Sequence, residues 1–152
     1  MKVGVPSEIK AQESRVGLTP LSVQELINHG HDVLIENNAG FGAGFENADY
    51  EKAGAKIVPK ADDVFDDSDM IVKVKEPQSE EVSMLRENQI LFTYLHLSAA
   101  PELTKGLVDS KSICIAYETV TDENNRLPLL APMSAVAGRM SIQAGAHSLE
   151  KP

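Results

Sequence analysis

Residues 71–85 read IVKVKEPQSEEVSML, and this stretch changes from a strand pattern to a helix pattern within a few residues. Its first part has the Val and Ile enrichment of a buried strand. Its second part, residues 79–85, predicts a helix that starts at Ser79, with acidic residues in the first turn, where the helix dipole favours them. A strand followed closely by a helix is the repeating unit of an alternating α/β fold.

The same alternation runs along most of the chain. The opening stretch belongs to a strand predicted over residues 69–76, and further strands are predicted over residues 2–6, 32–36, 55–58, 89–97 and 112–118. The intervening helices include one capped by Thr19 and ended by Gly30, one that starts at Pro101, and two around residues 47–54 and 61–66. We therefore predict an open, mainly parallel, Rossmann-like α/β sheet with helices on both faces.

The sequence changes character after residue 120. An irregular segment, TDENNRLPLLAPM, precedes a long helix predicted from Ser134 to about Leu149, with Ser134 as its N-cap. This helix runs almost to the end of the sequence, which suggests a connector to a further part of a protein. We therefore divide the chain into a domain of residues 1–130 and a connecting helix of residues 131–152.

Composition and charge exclude several functions. The 152 residues carry 14 Lys and Arg against 23 Asp and Glu, a net charge of −9, so no global positive field attracts nucleic acid or an anionic membrane. A few local cations could still hold a small anion. The single cysteine, Cys114, has no internal disulfide partner, and neither a signal peptide nor a bilayer-spanning stretch is visible. These features predict a soluble cytoplasmic protein.

Polar residues at the carboxyl ends of the predicted strands are the first candidates for a site, because ligands gather there in open α/β sheets. Lys75 ends the fourth strand, His96 ends the fifth, and Arg15 lies in the loop between the first strand and the first helix. Arg15 and Lys75 could clamp one carboxylate, and His96 could carry a proton near neutral pH. Lys73 shares a face with Lys75, and we expect it to reach water or to keep the local field positive.

Each of these residues alone has a structural explanation. A strand-end lysine usually reaches water, a loop arginine is usually solvated, and a single histidine is more often a hydrogen-bonding partner than a catalyst. Three complementary groups at one edge strengthen the case for a functional site until it equals that for the structural explanations, and both stay open at this point. The glycines of NAGFGAGF (38–45) lack G-x-G-x-x-G spacing and favour a turn, HGH (29–31) lacks a third metal ligand, and the pattern around Ser134 favours capping over phosphate binding.

Several motifs together resemble the N-terminal part of the bacterial alanine dehydrogenases. They occur in order along the whole chain: GVPSEIKAQESRVGLTP, AGFGAGF, IVKVKEP, LFTYLHLSAAPEL, AYETV and LPLLAPMSAVAGRMSIQAGAHSLEKP. Nicotinamide nucleotide transhydrogenase is similar in architecture, but TYLHLSAAP followed by APMSAVAGRM favours the dehydrogenases. The resemblance implies NAD-dependent interconversion of L-alanine with pyruvate and ammonium, so the expected partner is a small molecule.

The resemblance also implies residue roles. Arg15 and Lys75 would hold the substrate carboxylate and keto group, and His96 would exchange a proton with the substrate oxygen. Ser134 would touch the cofactor phosphates, a role compatible with capping. Two further residues, Tyr94 and Met133, would line the pocket. Members of the family are usually hexamers, so a homohexamer is expected at full length.

One part of the family pattern is missing from this sequence. The dinucleotide-binding domain, with its glycine fingerprint and a catalytic aspartate, would follow the position where the chain stops. We therefore expect the chain to be the substrate-side portion, with NAD bound mainly elsewhere and little turnover by these residues alone. A transhydrogenase domain and a non-catalytic module for small-carboxylate binding or oligomerisation are the alternatives.

Overall fold

A computed structural model describes residues 1–150 and divides the chain into two compact units. The first unit, Met1–Ala116, contains a six-stranded sheet and five α-helices, and the second begins at Tyr117 and contains one long helix. The strands are β1 (Lys2–Val5), β2 (Asp32–Glu36), β3 (Lys56–Val58), β4 (Met70–Val72), β5 (Ile90–Thr93) and β6 (Ile113–Ala116). The helices are α1 (Pro20–Asn28), α2 (Asn47–Lys52), α3 (Ala61–Asp67), α4 (Ser79–Met84), α5 (Pro101–Ser110) and α6 (Ala131–Leu149).

The sheet has the order β3-β2-β1-β4-β5-β6, and every neighbouring pair is parallel. The chain steps outward from β1 to β3 and then crosses back to β4 on the other side of β1. This reversal places a topological switch point between β1 and β4, where open α/β sheets form their ligand crevice. The Rossmann-like fold predicted from the sequence is confirmed.

Alternate residues of each strand enter two separate cores. In β2, Val33 and Ile35 belong to a cluster with Val23 of α1 and Tyr50 of α2, whereas Leu34 belongs to a second cluster with Phe65 of α3. Successive strand side chains point to opposite faces, so the two clusters cover the two faces of the sheet. Burial on both faces explains the apolar strand sequences.

The caps of α1 agree with the sequence prediction. The side chain of Thr19 accepts a hydrogen bond from the backbone N–H of Ser22 at 3.3 Å, and Pro20 is the first helical residue. Gly30, just beyond the helix end, has a φ of +80°. Thr19 and Pro20 thereby fix the direction in which the chain enters α1, and this direction constrains the loop from β1 to α1.

The fourth and fifth strands are shorter than predicted. β4 ends at Val72. The N–H of Lys73 still donates to the carbonyl of Phe92 on β5 at 3.1 Å, but the N–H of Val74 donates to the Glu8 carboxylate at 2.6 Å. β5 ends at Thr93, so His96 lies three residues beyond the strand. The expectation that Lys73 reaches water is wrong, since this residue is 1% exposed.

The N-cap prediction for Ser134 is also wrong. Helix α6 begins at Ala131 with Leu130 as its N-cap, so Ser134 lies inside the helix and its hydroxyl donates to the carbonyl of Leu130 at 3.3 Å. Pro132 explains the earlier start, because proline lacks an N–H and fits the first turn of a helix. The domain boundary at residue 130 stays a prediction. Across residues 1–150, none of the helices is both long and apolar enough to cross a membrane.

Candidate functional site

The three residues predicted from the sequence follow β1, β4 and β5 at the carboxyl edge of the sheet. Gly17 allows the loop after β1 to cross the end of β4: a Cβ at this position would lie 2.5 Å from the carbonyl oxygen of Val72. Gly42 similarly packs against the backbone of Ser14, so the glycine-rich loop supports the segment that carries Arg15. The turn predicted for this loop contains one positive-φ glycine, Gly44 at +87°.

Arg15 holds a carboxylate in a two-pronged contact. Its Nε and Nη2 atoms lie 2.8 Å and 2.5 Å from the two carboxylate oxygens of Glu13. This hydrogen bonding outweighs the opposing effect of burial and lowers the pKa of Glu13 to about 2, and the charge of Lys75 contributes in the same direction. Arg15 and Lys75 therefore both act on one carboxylate, that of Glu13.

Lys73 is buried between two acids. Its Nζ atom lies 2.5 Å from Oε1 of Glu81 and 3.3 Å from Oε2 of Glu8, and both acidic side chains are at most 3% exposed. Burial raises the pKa of Glu8, although the charge of Lys73 opposes this effect. Oε1 of Glu8 also accepts hydrogen bonds from the backbone N–H groups of Val74 and Lys75, at 2.6 Å and 3.4 Å. The buried cluster therefore fixes the backbone that presents Lys75.

His96 has an unusual backbone and a partly exposed ring. Its φ and ψ of 50° and 38° are left-handed, and its ring is stacked on Tyr94 with the centroids 6.0 Å apart. The Nδ1 atom lies 3.5 Å from Oε2 of Glu76, whose other oxygen pairs with Lys10. The hydrogen bond to Glu13 raises the pKa of Arg15, so the guanidinium stays charged.

The sequence reasoning missed the acidic partners of these cations. The sequence could have indicated Glu13 and Glu76 as partners, since each lies within two residues of a candidate cation. Glu81 was hidden as one of two acids in the first turn of α4, where it also accepts a hydrogen bond from the N–H of Gln78 at 2.8 Å. Glu8 carried no signal, because its contact with Val74 spans 66 residues.

Ser134, the predicted cofactor contact, lies in the second unit, in the first turns of α6. Its role stays a prediction. Within residues 1–150, no group of three or more His, Cys, Asp or Glu side chains is arranged to hold a metal ion.

A parallel α/β sheet with candidate cations at its switch point and a histidine beyond the end of the next strand places the chain among the Rossmann-like α/β domains. The comparison with protein families gives a narrower assignment than the fold class. The model described as "Alanine dehydrogenase/PNT, N-terminal domain" matches residues 4–137, so this chain belongs to the alanine dehydrogenase/PNT family.

Named relatives agree with this assignment. The chain is 59% identical over 151 residues to the alanine dehydrogenase of Halomonas elongata, covering 99% of this chain and 41% of the relative. It is 53% identical to the alanine dehydrogenase of Methanococcus maripaludis, covering 99% and 40%. The family resemblance predicted from the motifs is confirmed, and the chain spans about 41% of the length of the Halomonas relative.

Two solved structures have the same fold. An L-alanine dehydrogenase matches with a TM-score of 0.91 and 55% identity, covering 99% of this chain and 41% of that one. A transhydrogenase from Sinorhizobium meliloti matches with a TM-score of 0.73 and 29% identity, covering 78% and 35%. The fuller match is to the dehydrogenase.

Proposed function

We propose that this chain is the substrate-side part of an NAD-dependent alanine dehydrogenase, which interconverts L-alanine with pyruvate and ammonium. The observation that carries the proposal is the Glu13 carboxylate, which is bound by Arg15 and influenced by Lys75. Pyruvate and alanine both carry a carboxylate, and the same two cations suit it. The names of the relatives supply the reaction.

The proposed division of work follows from the chemistry of each side chain. Arg15 recognises the planar substrate carboxylate through its guanidinium, and Lys75 provides a point charge beside the keto oxygen. His96 gives a proton to the substrate oxygen in the direction of alanine synthesis and takes one back in the reverse direction. The positive charges also favour the build-up of negative charge on that oxygen.

The chemistry that bound NAD would supply is hydride transfer, from alanine in one direction and to the substrate in the other. The start of α6 fits one part of such a cofactor, because the Ser134 hydroxyl lies in the first turns of a 19-residue helix, near the positive end of its dipole. Ser134 would hold a phosphate there. The rest of the nicotinamide cofactor would be held outside these residues.

A homohexameric assembly and a cytoplasmic location complete the proposal for the whole protein. Both are supported by the resemblance to the family, and the free thiol of Cys114 suits a reducing compartment.

A chimera tests the proposal directly. This chain would replace the corresponding N-terminal residues of the Halomonas elongata enzyme, and NADH oxidation would be followed with pyruvate and ammonium. We expect turnover, its loss in Lys75→Ala, and its retention in Lys105→Ala, an exposed lysine on α5. A folded chimera that binds NADH but does not reduce pyruvate would refute the dehydrogenase function.

The structural match to a transhydrogenase makes that activity the second candidate. Hydride exchange between two nicotinamide nucleotides, without any dependence on pyruvate or alanine, would support it. Pyruvate binding by the 152-residue chain together with an inactive, NADH-binding chimera would instead indicate a carboxylate-binding module.

A further inference from the structure

The geometry points to Glu76 as a positioning residue that holds the Nδ1–H of His96 and so leaves Nε2 to face the substrate. The inference rests on the proposed function, because it gives His96 its proton-transfer role. Glu76 is the glutamate of the KVKEP motif and lies next to the proposed substrate lysine, Lys75.

The two oxygens of Glu76 have different surroundings. Oε1 forms an ion pair with Nζ of Lys10. Oε2 is buried and accepts no hydrogen bond from the residues that the structure describes, 1–150, and it lies 3.5 Å from Nδ1 of His96. A buried carboxylate oxygen without a donor is costly, and a movement of less than about 1 Å would bring this pair to hydrogen-bonding distance.

The other surroundings of the His96 ring favour the same arrangement. Tyr94 is stacked on one face, with 27° between the two ring planes, and the left-handed backbone fixes where the side chain leaves the chain. A histidine whose one nitrogen donates to a carboxylate keeps its other nitrogen as an acceptor, which is the form needed to take a proton from a substrate.

Lys10 is one of several groups that favour the ionised form of Glu76. Burial raises the pKa of Glu76, but the hydrogen bond and charge of Lys10, together with the charge of His96, outweigh it, and the pKa is lowered. An ionised carboxylate is an acceptor only, so it can face Nδ1 only when that nitrogen carries a proton. If Glu76 served only to form an ion pair with Lys10, the Nδ1 atom of His96 would not need to carry the proton.

Nitrogen-15 NMR of the imidazole rings in the 152-residue chain, at a pH where they are neutral, tests this contact without substrate. We expect the Nδ1–H tautomer at His96 in the unchanged chain. In Glu76→Gln, Lys10 attracts the amide oxygen, so the amide NH₂ faces Nδ1 and the tautomer should invert to Nε2–H. Lys10→Met is the matched control, because it breaks the same ion pair but leaves a carboxylate facing His96, and the Nδ1–H tautomer should persist.

An Nε2–H tautomer in the unchanged chain, or no inversion in Glu76→Gln, would overturn the inference. Inversion in Lys10→Met as well would also overturn it, since the effect would then follow from loss of the ion pair. The backbone NMR spectrum reports folding, and if Glu76→Gln does not fold, Glu76→Leu, which offers no acceptor, should lose the preference for Nδ1–H.

Kinetics of the chimera separate this inference from the proposed function. Glu76→Gln should lower kcat by about tenfold or more while changing the KM for pyruvate much less, because the defect lies in proton transfer. Tautomer inversion beside an inactive unchanged chimera would refute the dehydrogenase function and support the contact. Loss of activity without inversion would refute the positioning role.

Discussion

The Nζ atom of Lys73 lies 2.5 Å from Oε1 of Glu81, and both side chains are almost completely buried. Lys75, two residues further on, is partly exposed and influences Glu13 beside Arg15. The two lysines of IVKVKEP therefore have different surroundings. Lys73 neutralises a buried acidic cluster, and Lys75 is the lysine that we propose binds the substrate.

Replacing Lys73 should destabilise the fold. In Lys73→Met, Glu8 and Glu81 remain buried without their cation, and the free energy of unfolding should fall by about 3–5 kcal/mol. Urea unfolding of the 152-residue chain measures this loss. Lys75→Met is the matched control, and we expect it to lower stability by about 1 kcal/mol or less, because Lys75 is partly exposed.

Equal destabilisation by the two changes would show that Lys73 is not the counter-charge of the cluster. The double change Lys73→Met with Glu81→Gln should recover part of the loss, since it removes one of the two unpaired carboxylates.

Stability at acid pH should depend on Glu13. Its pKa is lowered from 4.5 to about 2, so its contribution to stability is present above pH 4.5 and is lost as the pH falls toward 2. Glu13→Gln should therefore be less stable near neutral pH and should lose less stability across this interval. Urea midpoints measured from pH 4.5 down to pH 2 test the expectation, with the exposed Glu102→Gln as a control. Parallel pH profiles for the chain and Glu13→Gln would contradict it.

Gly17 should resist even the smallest side chain. An added Cβ would lie 2.5 Å from the backbone oxygen of Val72, and backbone cannot give way as a flexible side chain can. We expect Gly17→Ala to cost about 1–3 kcal/mol of unfolding free energy, the range for an overpacked site. Gly138→Ala is the control, since nothing lies within 4 Å of its added Cβ, and alanine favours a helix by up to about 1 kcal/mol. Similar thermal unfolding for the two variants would argue against the close approach.

His96 should matter for turnover and little for folding. Asparagine adopts a left-handed backbone more readily than most residues, so His96→Asn removes the proton-transfer group and preserves the local conformation. We expect kcat of the chimera to fall by about 10²- to 10⁴-fold, the usual contribution of a general acid or base. His29→Asn, at an exposed position after α1, is the control. Near-normal kcat in His96→Asn would exclude the proposed role.

The sequence predicts the alternating fold well because its signals are local. Thr19, Pro20 and Gly30 mark the limits of α1 within a few residues, and the apolar runs mark the strands. The end of β4 could not be predicted in this way. The N–H of Val74 bonds to a carboxylate 66 residues earlier in the chain, and no periodicity reports such a contact.

Contacts between distant segments also explain why the surroundings of Lys73 were not predicted. Lys73 and Lys75 would share one face if the regular strand continued through residue 76. It ends at Val72 instead, and Lys73 meets acids from two other segments. The wrong N-cap at Ser134 has a local cause instead, because Pro132, two positions earlier, fits the first turn of a helix that begins at Ala131.

The left-handed backbone at His96 also bears on how this protein can change through evolution. Glycine, asparagine and aspartate join histidine as residues that accept this conformation readily, and asparagine and aspartate codons each differ from a histidine codon by a single base. The most accessible mutations that abolish proton transfer are therefore among those that the fold accepts best. A descendant that keeps the proposed carboxylate-binding residues but lacks the proposed proton transfer, as a ligand sensor would, is therefore one base change away.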